Sequence, residues 1–197
     1  MAFNRHKGFA PRMSFNVSEC SPPEKKLNVE KFSTYKPAPF ASFVVESKCA
    51  GGLRAVSVDA LLSGIIKRSE IISKRHGQIT DYIGDELELS IIGVRPDGIG
   101  LLLSKHRRDA DILCGKWIGC CLVGRVYSIK GKNYVSFRDG SIPGPYRVED
   151  IARILIAEGV SAHVEFVVVD FEITGRPDVP PLMIMRQIPG TFQIIES

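Results

Sequence analysis

Five cysteines and four histidines are the side chains through which this 197-residue chain could hold a metal or run nucleophilic chemistry. A zinc centre pairs its thiolates about two to four residues apart. Cys114, Cys120 and Cys121 do not have that spacing, and His76, His106 and His163 fall on separate segments, which argues against a metal site. The cysteine count is odd, and the neighbours Cys120 and Cys121 would point to opposite faces of a strand. Both facts disfavour a disulfide framework and suit reduced thiols. No G-x-S-x-G elbow presents a serine nucleophile. Gly93, Gly98 and Gly100 follow a strand pattern but open another strand instead of a helix, so they read as turn glycines and not as a phosphate cradle. The chain is therefore expected to be no enzyme, with no catalytic residue, metal or cofactor, and to work as a binding or assembly protein.

The positive chemistry lies on candidate surfaces. Lys105, His106, Arg107 and Arg108 cluster in a stretch (105–116) read as an exposed loop, where they could meet phosphates of RNA or of lipid headgroups. Asp109 and Asp111 follow at once, so an ordinary solvated loop is the competing reading. Ile112 and Leu113 beside Trp117 form an apolar patch suited to a membrane interface or partner pocket, unless Trp117 simply begins the next strand inward.

Charge is segregated along the chain. Residues 1–40 carry seven Lys and Arg, Lys25 and Lys26 among them, against three Glu, and so hold the whole formal net charge of +4. They also contain five of the twelve prolines and no sustained period, which predicts a flexible basic arm. Aromatic and aliphatic side chains, including Leu27, Val29 and Phe32, interrupt the arm, so it is expected to dock on something. No apolar run is long enough to cross a bilayer, and the basic N-terminus lacks the apolar core of a secretory signal; a cytosolic or nuclear protein is the expectation.

The elements behind these surfaces are expected in residues 41–197, as one globular α+β domain with a mostly antiparallel sheet packed by two helices. Residues 43–46 suggest a strand closed by the turn Cys49–Gly52. A helix from Ser57 to Gly77 would use Val58, Leu61, Leu62, Ile65, Ile66 and Ile72 as its buried face. Strands at 85–94 and 99–104 make a hairpin across Arg95-Pro96-Asp97-Gly98, and strands at 117–129 and 134–139 make another across Lys130–Asn133. A second helix is expected over 148–158 on Ile151, Ile154 and Leu155. A strongly β-prone run (162–173) and two edge strands complete the domain.

This order of features, with the stretch Gly124-Arg125-Val126-Tyr127 before a basic turn, resembles the matrix proteins of rhabdoviruses, most nearly those of plant-infecting members, over residues 25–175. The resemblance implies a virion structural protein of host cytoplasm or nucleus and peripheral membrane. Such a protein self-associates, condenses nucleoprotein–RNA and links it to an anionic envelope membrane. It implies polymerising contacts through Leu27, Val29 and Phe32, and nucleocapsid or lipid contacts through Lys25, Lys26, Lys105, Arg107 and Arg108. The Pro-Pro-x-Tyr motif of animal-infecting members is absent, since Ser21-Pro22-Pro23-Glu24-Lys25 lacks the tyrosine. The alternative, from the same basic arm, is a nucleic-acid-binding viral protein such as a plant viral movement protein or silencing suppressor.

Overall fold

The computed structural model describes residues 21–29, 33–71, 78–154, 156–173 and 179–195. Its first half is built from strands β1 (Phe40–Cys49), β2 (Gly52–Ser57), β3 (Ser63–Lys67), β4 (Glu86–Val94) and β5 (Leu101–Ser104). Alternate side chains turn inward, so that Phe43, Val45, Leu53, Ala55, Ile66, Leu89 and Leu103 fill one dry core. Pairing runs β1-β2-β3-β5-β4 and returns from β4 to β1, antiparallel except for β3 with β5. This closed five-stranded Greek key is the strand order of an OB-fold barrel. Two glycines permit the closure: a Cβ at Gly52 would land on the Ile66 carbonyl oxygen, and one at Gly64 would lie 2.8 Å from the Leu101 carbonyl oxygen.

Helix α1 (Lys105–Trp117) leaves the barrel directly from β5. Ser104 caps it by accepting from the Arg107 backbone N–H, and two pairs brace it at one-turn spacing, Lys105–Asp109 at the surface and Arg107 with the buried Asp111. Its stripe of Ala110, Leu113, Cys114 and Trp117 is buried. The stripe packs on a second sheet of β6 (Cys121–Ile129), β7 (Lys132–Ser136), β8 (Tyr146–Val148), β9 (Ser161–Glu172), β10 (Leu182–Gln187) and β11 (Gln193–Ile195). The order is β7-β6-β9-β10-β8, with β11 beside β9. Over Phe166–Val169 strand β9 is buried on both faces: Phe166 and Val168 join the core under α1, whereas Val167 and Val169 face Val29 of the leader.

The expected sheet packed by two helices is thus corrected to a mostly β protein, a barrel and a second sheet with one helix between them. The helix expected from Ser57 is replaced by a turn and β3, because Ile65 and Ile66 are β-branched and gain partners on β2 and β5 that no local helix provides. Val58 and Leu61 of its expected buried face are exposed, and Ile72 lies outside the described residues. The second expected helix shrinks to a single turn at Ile151–Arg153, entered through Asp150 at φ 60°. Residues 105–116, read as a loop, form the α-helix.

The leader is tied down in its described part. Leu27 N–H donates to the Gly119 carbonyl (2.8 Å), Cys121 N–H donates to the Lys25 carbonyl (3.0 Å), and Lys26 bridges Cys120. Gly119, at φ +84°, lets the chain come this close, since a Cβ there would sit 2.5 Å from the Leu27 oxygen. The Asp170 carboxylate takes both the hydroxyl and the backbone N–H of Thr34. Burial alone would raise Asp170, but these bonds and the Phe171 and Tyr35 N–H groups outweigh it and hold the carboxyl below its ordinary value. Asp111 on α1 accepts from Tyr35 Oη, Ala38 N–H, Ser90 Oγ and Arg107 Nε. The arm expected to run free to residue 40 therefore does not do so over 21–29 and 33–39. Residues 1–20 and 30–32 lie outside the described residues.

Two outcomes follow for stability. Asp111→Ala leaves four donors without their acceptor and is expected to cost about 3–5 kcal/mol in urea unfolding; a change under about 1 kcal/mol contradicts the joint. A carboxyl depressed by folding stabilises above its unfolded pKa and loses that contribution as pH falls through its folded value. The Tm gap between the wild type and Asp170→Asn should accordingly be complete at neutral pH and close below about pH 4. A gap independent of pH contradicts it.

Candidate functional site

Closing the barrel places two sequence-distant turns at one end. The β1–β2 turn (Ala50 and Gly51) and the β4–β5 loop (95–100) flank the outer face of β2 and β3, where Arg54 stands opposite Ile65 in register. Between them lies an open groove of about 400 Å³, lined among others by Cys49, Arg54, Ser63, Ile65, Arg95 and Ile99. On the other side of the β1–β2 turn a second depression, of about 420 Å³, is lined by Lys48, Gly52, Arg68, Ile71, Gln78 and Ile79. Cys49 lines both, so the two adjoin at the β1–β2 turn as the two arms of a furrow.

The furrow gathers four cationic side chains: Lys48, Arg54, Arg68 and Arg95. Arg54 reaches Glu46 at 3.4 Å and Arg95 reaches Asp97 at 2.5 Å, and both carboxylates are about half exposed. Such surface pairs are weak and exchange easily with an incoming anion. Ile65 and Ile99 supply apolar surface between the charges, with Ile99 75% exposed. Among the described residues none that lines it is aromatic. The arrangement suits holding an extended polyanion with apolar faces; it assembles no nucleophile with a base.

The cations singled out from sequence do not gather there. Lys25 pairs with Glu165 at 2.5 Å, and that hydrogen bond raises its pKa. Lys26 Nζ donates to the Lys116 carbonyl. Lys105 pairs with Asp109; Arg107 pairs with Asp111 and donates to the Lys36 carbonyl; Arg108 pairs with Glu88 and lies 3.4 Å over the Phe40 ring. Of the expected self-association residues, Val29 is buried, Leu27 is exposed, and Phe32 lies outside the described residues. Of the expected surface patch, Trp117 and Leu113 are buried in the core under α1, and Ile112 alone is exposed. Burial pushes the Cys114 thiol up to about 12 and also raises Cys120 and Cys121, so these thiols are poor nucleophiles. Among the described residues no group of His, Cys, Asp and Glu is placed to hold a metal, and no helix is long and apolar enough to cross a membrane.

Arg54 and Arg95 carry no signal of their own in the sequence, since each is a single cation near a turn. Both turns are legible, but their adjacency depends on the β1–β4 and β3–β5 pairings.

No family model matches the chain, and no curated protein does. Among solved structures, GSP13 from Bacillus subtilis is similar at 19% identity, over 36% of this chain and 56% of that one, with a TM-score of 0.29. Mycoplasma genitalium RNase R, solved in complex with ribose-methylated single-stranded RNA, is similar at 10% identity over 81% and 22%, with a TM-score of 0.26. A multidomain Streptococcus pneumoniae protein with nucleic-acid-binding domains is similar at 13% identity over 83% and 57%, also at 0.26. The chain thus spans between about a fifth and somewhat over half of the proteins it matches.

Proposed function

We propose that this chain binds single-stranded nucleic acid through the furrow of its barrel. The observation that carries the reading is the placing of Arg54 and Arg95 on the face and between the loops that OB-fold barrels offer to oligonucleotides, with Lys48 and Arg68 lining the adjoining depression at the β1–β2 turn. A single strand fits the geometry better than a duplex. Its phosphates can follow the cations while its bases turn onto Ile65 and Ile99, whereas a duplex offers the furrow only phosphates. With no aromatic among the described residues of the furrow, phosphate contacts dominate, and binding is tolerant of sequence and steep in salt.

No specific observation favours the envelope-assembly reading, and several of the side chains on which it drew are engaged within the chain. Lys25 and Arg107 are paired, and Val29 and Trp117 are buried.

The test is fluorescence anisotropy of a labelled 12-nucleotide strand across a salt series. The wild type is expected to bind at low salt, and the Arg54→Ala/Arg95→Ala variant to lose about 0.7 from the log–log salt slope for each phosphate contact removed. Failure of the wild type to bind, or an unchanged slope in the variant, contradicts the proposal.

A further inference from the structure

The second sheet has a solvent face that the barrel furrow does not use. Strands β6 and β7 pair Tyr127 with Tyr134, and the rings stack with centroids 5.8 Å apart and planes 18° from parallel. Val126 and Val135, one residue along, turn into the core, so both tyrosines stand on the outward side. Tyr134 is 43% exposed. The same face carries Arg125, opposite Ser136 on β7 and His163 on β9, and Lys132, opposite Ile129. Arg125 Nη2 donates to Ser161 Oγ at 3.0 Å, and among the described residues no carboxylate pairs with it. Beside the tyrosines lies an open depression of about 400 Å³, lined by Arg125, Tyr127, Ser136, Gly159 and Ser161 among others.

A cross-strand tyrosine pair alone is an ordinary hairpin brace. This one lies at the edge strand of its sheet with a ring open to solvent, a guanidinium and an ammonium beside it, and a hydroxyl-lined hollow next to it. The geometry points to a second binding face, on which Tyr134 and Tyr127 stack an unpaired base of a single-stranded RNA segment while Arg125 and Lys132 meet its phosphates. RNA is the occupant because the Ser136 and Tyr127 hydroxyls at the hollow can both donate to and accept from a ribose 2′-OH. This rests on the reading of the chain as a binder of single strands and adds to it a stacking-led contact that the furrow lacks.

The experiment uses the full chain with an RNA 12-mer carrying one 2-aminopurine, read by anisotropy and by quenching of the base analogue. Tyr134→Ala is expected to weaken binding about tenfold and to lift the quenching, while Tyr134→Phe, which keeps the ring, stays within about twofold of wild type. Arg54→Ala/Arg95→Ala should weaken binding yet leave quenching at saturation intact. A DNA strand of the same sequence should bind more weakly; equal binding overturns the assignment to RNA. On the unaltered chain, 4-thiouridine photocrosslinks should map to residues 125–136, and crosslinks confined to the barrel overturn the second face even if the Ala variant does not fold. Wild-type affinity in Tyr134→Ala, or equal loss in Tyr134→Phe, also overturns it. If the wild type binds no strand, the furrow proposal falls as well; if only the furrow variant weakens binding, this inference alone fails.

Discussion

A carboxylate with almost no solvent contact joins three parts of this chain. Asp111 sits on α1 and accepts from the leader through Tyr35 and Ala38, from the barrel through Ser90, and from its own helix through Arg107. A buried charge survives only when its lone pairs are filled and an opposite charge stands near, and both conditions hold here. Burial together with the bond to Asp111 drives the Tyr35 phenol far above its ordinary range, so it stays a donor. The path of the chain from the second sheet to the first barrel strand is thereby fixed. It ends where Phe40 lies beneath the Arg108 guanidinium, itself paired to Glu88 on β4. Helix, leader and barrel are therefore mutually dependent, and the second sheet joins them through Trp117 and Val29.

That constraint withholds Arg107 from a ligand. Extracting Arg107 would strand the buried Asp111. Lys105 and Arg108 pair with Asp109 and Glu88, and Arg54 and Arg95, which line the groove, pair with Glu46 and Asp97, each carboxylate about half in solvent. Displacing any of these carboxylates returns it to water at little cost. A dense run of positive charge in the sequence is thus a poor guide to a binding face; the groove a cation lines and the solvation of the acid it leaves behind both matter.

Much of the strand content was legible in the sequence, because period-2 alternation at Leu87, Leu89 and Ile91 and the turn chemistry of Arg95–Gly98 and Lys130–Gly131 are local. Helix α1 was missed although its signals were present: Ser104 at the cap, two opposite-charge pairs at four-residue spacing, and apolar positions at Ala110, Leu113, Cys114 and Trp117. Its polar first turn hid that stripe. The opposite error arose at residues 57–66, where apolar positions fit a helical period but the partners that stabilise them are on β2 and β5. The furrow was illegible for a stronger reason, since its lining comes from turns some 45 residues apart, joined only by barrel closure. The tyrosine pair could have been found: the hairpin across Lys130–Asn133 was read, and its register sets Tyr127 opposite Tyr134.

The two faces differ in the physics each can supply. The furrow has cations and aliphatic surface, so its attraction to a strand is screened by salt and indifferent to base identity. The β6–β7 face has stacked rings with fewer charges, so its contribution resists salt and favours bases that stack well. A chain with only the first would slide along any polyanion, and one with only the second would be slow to find a strand. Joined through α1 and the leader, whose placement Asp111 fixes, the two act as linked sites on any strand long enough to span them. The second contact then becomes intramolecular once the first has formed, and overall affinity exceeds that of either face without any new interaction.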